Sequence, residues 1–126
     1  MNPDALVDRF ERLQIEPGAF RHRDHLEAAY GMLRKYPFLE ATARYARIIR
    51  TMAANAGASE KFHVTITVAF MSLVAERMAS TEHGDFETFS RANPDLFSRD
   101  LLNRFYPNGR LDSDVARRIF VMPHPG

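Results

Sequence analysis

The residues best able to do chemistry begin at Phe20-Arg21-His22-Arg23-Asp24-His25-Leu26. Two imidazoles three positions apart at a helix start project from one side, so both can reach a single ion or substrate atom. Two nitrogens fall short of the three or four ligands that zinc sites use. His63 is the natural third. On a helical segment it aligns with Thr67, Phe70, Val74 and Arg77, which puts an imidazole and a hydroxyl on an otherwise apolar stripe. Burial disfavours the charged ring and leaves the neutral, ligand-competent form. His22, His25 and His63 with water in the open position would match a catalytic zinc site, where the bound water reaches a pKa of about 7 and supplies hydroxide. Iron or manganese would add a carboxylate to the ligands. Asp24 could be that carboxylate or could orient one of the histidines. The expected cofactor is thus one divalent metal: zinc, iron or manganese. Thr67 could hydrogen-bond beside His63. Arg77 could hold an anionic ligand, although a cation on an inner face ordinarily pairs with an acid.

The same residues admit plainer roles. Asp24 lies in a first helical turn, where an acid suits the macrodipole and can cap. His63 fits equally a core histidine bonded to a backbone carbonyl. His83 sits in a polar connection and His124 in a proline-rich tail, and both read as solvated. Glu76 falls nearly opposite His63, away from joint chemistry. Tyr30 and Tyr45 read as core residues, and Tyr106 could point a hydroxyl into a pocket. Three functions therefore stay open. One is a metal-dependent enzyme acting on a small molecule through His22, His25 and His63. The second is a metal-free small-molecule pocket that uses a histidine as acid–base group, with Arg77 or Tyr106 orienting the ligand. The third is a structural or interaction module whose histidines are core residues.

Composition narrows the partners. The 126 residues fit a single domain, 1–126, with one core. Seventeen basic residues against sixteen acidic ones give a net charge of +1, which offers no long-range attraction to nucleic acid or a membrane surface. No run approaches the ~18 apolar residues of a membrane span. The N-terminal region carries charges at every turn and has no apolar export core, so a cytoplasmic location is expected. Cysteine is absent, which removes disulfides and thiolate chemistry and limits any metal site to nitrogen and oxygen donors. There is no phosphate-binding glycine loop, no Gly-x-Ser-x-Gly elbow and no HExxH motif. Homo-oligomerisation through an apolar helix face is compatible with the pattern.

The elements that must position these residues are helices: the sequence predicts an all-α fold, a compact bundle of five to seven. A first helix spans about Pro3 to Leu13, with Asn2 as its cap and Leu6, Phe10 and Leu13 as its stripe. Residues 15–18 turn the chain. A second helix starts near His22 or Arg23 and reaches Lys35, and Tyr36-Pro37 breaks it. A third spans roughly Pro37 to Ala56 and stops at Gly57. Glu60 to Ala79 is the ambiguous segment. Residues 62–68 alternate and are β-branched like a strand, yet no partner strand exists and Phe70, Leu73, Val74 and Met78 continue a helical pattern. Asp85 caps a short helix through Ala92, and Asn93-Pro94 opens another reaching about Phe105. Pro107-Asn108-Gly109 is a turn, Ser113 caps a last short helix, and Val121 to Gly126 is extended.

These motifs, together with Asn93-Pro94-Asp95-Leu96 and the run Leu111 to Val121, resemble a family of small, mostly uncharacterised bacterial all-helical proteins. The shared marks are Phe-x-His-x-x-His-Leu and a later aromatic-His-x-Thr-x-Thr, here Phe62-His63-Val64-Thr65-Ile66-Thr67. The resemblance spans nearly the whole chain and implies one domain. The family often has an acid after the third histidine. Val64 stands there in this chain, so no carboxylate ligand is carried over, and the resemblance implies no particular reaction.

Overall fold

The computed structural model describes residues 5–80 and 84–124. Residues 1–4, 81–83, 125 and 126 lie outside the description, and with them the expected cap at Asn2, the first-turn role of Pro3 and the solvated His83.

Six α-helices carry the fold among the described residues, and no strand occurs. Helix α1 (Ala5–Glu11) buries Val7 and Phe10. It ends on Leu13, whose φ of 57° is left-handed. The Leu13 N–H bonds to Phe10 O at 3.1 Å and the Gln14 N–H to Arg9 O at 2.8 Å, closing the last turn in the way a glycine usually does. Helix α2 (His22–Lys35) turns Leu26, Ala28, Ala29, Tyr30 and Met32 inward and stops before Pro37. Gly31 faces α1 so closely that a Cβ built on it would stand 2.0 Å from Val7 Cγ2. That close approach explains a glycine in mid-helix, where it otherwise costs about 1 kcal/mol relative to alanine.

Helix α3 (Phe38–Asn55) packs on α2 and buries Ala41, Thr42, Tyr45 and Met52. Gly57, with φ of 70°, reverses the chain through the Ala58 N–H to Ala53 O bond of 2.8 Å. The ambiguous segment is helical: α4 (Val64–Ser80) follows a 3-10 turn at Ser59–Lys61. It starts later than the expected Glu60, because Phe62 is extended and closes the turn. The β-branched residues are tolerated because α4 is the central element, in contact with α2, α3 and the last helix. Tertiary burial of Thr65, Thr67, Phe70, Met71 and Val74 outweighs a local strand preference worth at most about 1 kcal/mol per residue.

Helix α5 (Phe86–Ala92) is capped by Asp85, whose carboxylate accepts the Thr88 N–H at 2.8 Å. The expected continuous helix to Phe105 is corrected to two 3-10 turns, Pro94–Phe97 and Leu101–Arg104. Ser98 between them is extended, and its hydroxyl accepts the Asp100 N–H at 3.2 Å, a local bond that competes with helix propagation. Gly109, with φ of 76°, completes the expected turn at 107–109. Ser113 caps the short α6 (Asp114–Arg118) through the Ala116 N–H at 3.0 Å. Beyond α6 the chain lies along α4. The buried Thr65 hydroxyl donates to Ile119 O at 2.7 Å and accepts from Val121 N–H at 3.0 Å. No helix among the described residues is long and apolar enough to cross a membrane.

Candidate functional site

The start of α2 is fixed by Asp24. Its carboxylate accepts the Arg21 N–H at 2.9 Å, so it serves the helix end, and among the described residues it makes no hydrogen bond to a histidine. His22, exposed at the first position, bonds through Nε2 to Leu96 O at 3.2 Å. A carbonyl only accepts, so Nε2 carries a proton and donates.

One turn on, the partly buried His25 rests against Phe20, with ring centroids 4.3 Å apart. Its Nδ1 lies 3.4 Å from the Tyr45 hydroxyl, a long contact. Burial, aided by the neighbouring His22, lowers the His25 pKa to about 4. Burial likewise pushes the Tyr45 phenol up, so it stays protonated. The phenol proton has no other acceptor among the described residues. Its donation to His25 Nδ1 therefore satisfies the buried hydroxyl and leaves the His25 proton on Nε2. The ring is then a neutral imidazole offering an N–H that no group among the described residues takes.

His63 has a different job. It caps α4: Nδ1 accepts the Ile66 N–H at 3.1 Å, while Nε2 donates to Leu111 O at 2.7 Å. Both nitrogens of this buried ring are occupied, and its tautomer is set by them. Thr67 also looks inward to its own helix, donating to His63 O at 2.8 Å. Coordination of an ion by His63 would require release of one of its bonds. Among the described residues, no group of three or more His, Asp or Glu side chains is placed to hold a metal ion. In this arrangement His22 and His25 share a surface, and His63 joins them as a wall without a free nitrogen.

That surface is a cleft of about 280 Å³ between the start of α2, the middle of α3 and the start of α4. His22, His25, Tyr45, His63 and Thr67 supply its polar atoms, and Ile49, Phe62, Ile66 and Phe70 its apolar walls, with Lys61 at the rim. The size falls just below the ~300–1,000 Å³ usual for small-molecule sites, and the mix of apolar walls with few polar groups is typical of them.

Two expected ligand-orienting groups lie elsewhere. Arg77 grips Asp95 through two bonds of 2.8 and 2.7 Å and also donates to Asn93 Oδ1 at 3.0 Å. Arg104 reaches the same carboxylate at 2.5 Å, and the two cations hold the Asp95 pKa well below the usual carboxylate range. Arg77 is thus a pairing residue that anchors the turn at Pro94–Phe97 to α4. Tyr106 donates its hydroxyl to Val121 O at 3.0 Å and holds the C-terminal segment. His124 is exposed, as expected.

Lys61, Phe62, Ile49 and Ile66 join the site only in the folded chain. Lys61 carried one signal, since it is one of only two lysines among seventeen basic residues and lies two positions before His63. Tyr45 read only as core, because a partner twenty residues away has no signature in local spacing. Comparison with family models, with curated proteins and with solved structures gives no match.

Proposed function

We propose that this chain binds a small molecule without a metal, in the cleft between α2, α3 and α4, with His25 as the polar group that meets the ligand. The observation that carries this reading is the division of labour among the three histidines. His63 spends both nitrogens on backbone atoms, whereas His25 meets Tyr45 on one nitrogen and leaves the other without a partner among the described residues, in a largely apolar cleft. A neutral imidazole N–H in such a place can polarise a carbonyl or fix a hydroxyl, and it is suited to electrophilic assistance by hydrogen bonding. Arg77 and Tyr106 take no part.

Octanol is a suitable neutral probe. Titration followed by NMR should give saturable shifts of the Ile66 and Thr67 amides and of the His25 ring. Ile49→Trp, which places a large side chain in the cleft from a partly exposed position, should abolish them. Shifts that never saturate, or that survive Ile49→Trp, would count against the pocket. A separate check is elemental analysis of tag-free protein. Stoichiometric divalent metal that is lost in a His22→Ala, His25→Ala double variant would overturn the metal-free reading and restore a metal centre.

A further inference from the structure

A second chamber of about 300 Å³ adjoins the cleft, and the two share His25, Ile49, Lys61 and Phe62 as walls. The second chamber is otherwise lined by Phe20, Met52, Ala53, Ala56 and Ala58, whose side chains carry no hydrogen-bond donor and no charge. An occupant long enough to use both chambers must pass Ile49 and Phe62, with Lys61 beside it.

The charges around the two chambers are one-sided. Among the described residues lining either of them, Lys61 is the only charged side chain, and no carboxylate is present. Lys61 makes no ion pair among the described residues, whereas the other lysine, Lys35, is paired with Glu11 at 2.5 Å. An ammonium group provides three donors and no acceptor. The unclaimed His25 Nε2–H adds a further donor on the same shared wall. The Thr67 hydroxyl proton is already committed to His63 O. Two donors, one of them a cation, beside long apolar walls are the complement of an oxyanion carried on a hydrocarbon body.

We propose that the ligand is an amphipathic organic anion, a free carboxylic acid in its ionised form, whose carboxylate meets Lys61 and His25 Nε2 while its apolar body lies along Ile49 and Phe62 into the two chambers. The proposal rests on the metal-free pocket reading above and gives it a ligand class.

The test compares octanoate, octanol and octylammonium at pH 8, where free octanoate is an anion and free octylammonium a cation. The three probes share one body and differ in head charge. Dissociation constants are read from the Ile66 and Thr67 amide shifts. Octanoate should bind about fivefold more tightly than octanol, a gain in keeping with one solvent-exposed ion pair, and octylammonium should bind worst. Lys61→Met keeps the stem and removes the charge. It should bring octanoate down to octanol and leave octanol unchanged, while Lys61→Arg should keep the preference. Lys61 is exposed on a turn, so neither substitution disturbs a core contact. Equal binding of octanoate and octanol, or a preference that persists in Lys61→Met, overturns the anion assignment and leaves the pocket standing. Absence of saturable shifts with all three probes overturns both.

Discussion

Replacement of His63 separates a structural histidine from a ligating or catalytic one. In His63→Ala two backbone groups lose their partners: the Ile66 N–H at the start of α4 and the Leu111 carbonyl across the fold. Each lost bond at a poorly solvated site costs about 1 kcal/mol, and loss of ring packing at a position only 8% exposed adds about another. The expected destabilisation is about 3 kcal/mol, or roughly 10 °C in Tm for a domain of this size. His63→Asn provides the internal control. An asparagine Oδ1 can still accept the Ile66 N–H as a helix cap, but it is too short to replace the bond to Leu111. Its cost should be about half. Urea denaturation monitored by far-UV circular dichroism measures both variants, with the m value as a check that the same surface unfolds. If His63→Ala costs under about 0.5 kcal/mol, or if asparagine is no better than alanine, the capping role is wrong.

Three further outcomes are expected. His25 has a pKa of about 4 folded, against about 6.5 in an unfolded chain, so between those values the unfolded state holds more protons. Its contribution is complete above about pH 6.5 and is lost toward pH 4, on the order of 3 kcal/mol. His25→Phe should flatten that limb in a comparison of urea midpoints at pH 4.5 and 7.5, and an unchanged limb would refute the assignment. Arg77→Met should cost about 1 kcal/mol, at the upper end of exposed ion pairs, because the grip is bidentate but partly solvated and Arg104 still holds Asp95. Loss of that cost in an Asp95→Asn background would confirm the pair by double-mutant cycle. Leu13→Gly should raise Tm by a few degrees, since it removes about 1 kcal/mol of left-handed strain from a half-exposed side chain, and a lower Tm would sink the argument.

The helices were legible wherever one local rule dominated. Asp85 and Ser113 cap where their side chains suggest, and Pro37, Gly57 and Gly109 break the chain as their backbone preferences require. The helical nature of α4 was legible only through the lack of a partner strand and the continued apolar pattern, because Val64 to Val68 locally favours the other state. The break at Ser98 was not legible, since it depends on a serine hydroxyl and on Asp95 being drawn to Arg77 and Arg104. For the site, helix geometry alone put His22 and His25 on one surface. Alignment of His63 on its stripe carried no information on its nitrogens. One of their partners, Leu111, lies 48 residues away, and only the folded chain brings it there. The same limit hid the contact between Tyr45 and His25.

The notch at Gly31 has a consequence for how this chain can vary. Val7 fills the space a Cβ would need, so the two positions behave as one unit of volume shared between α1 and α2. Gly31→Ala alone forces a stiff, buried valine aside and should cost about 1–3 kcal/mol despite alanine's better helix propensity. Val7→Ala alone leaves a void. Made together, the two changes exchange a methyl across the interface and should cost less than the sum of the single changes. Drift at either site is therefore conditional on the other, and a homologue that carries a larger residue at 31 should carry a smaller one at 7.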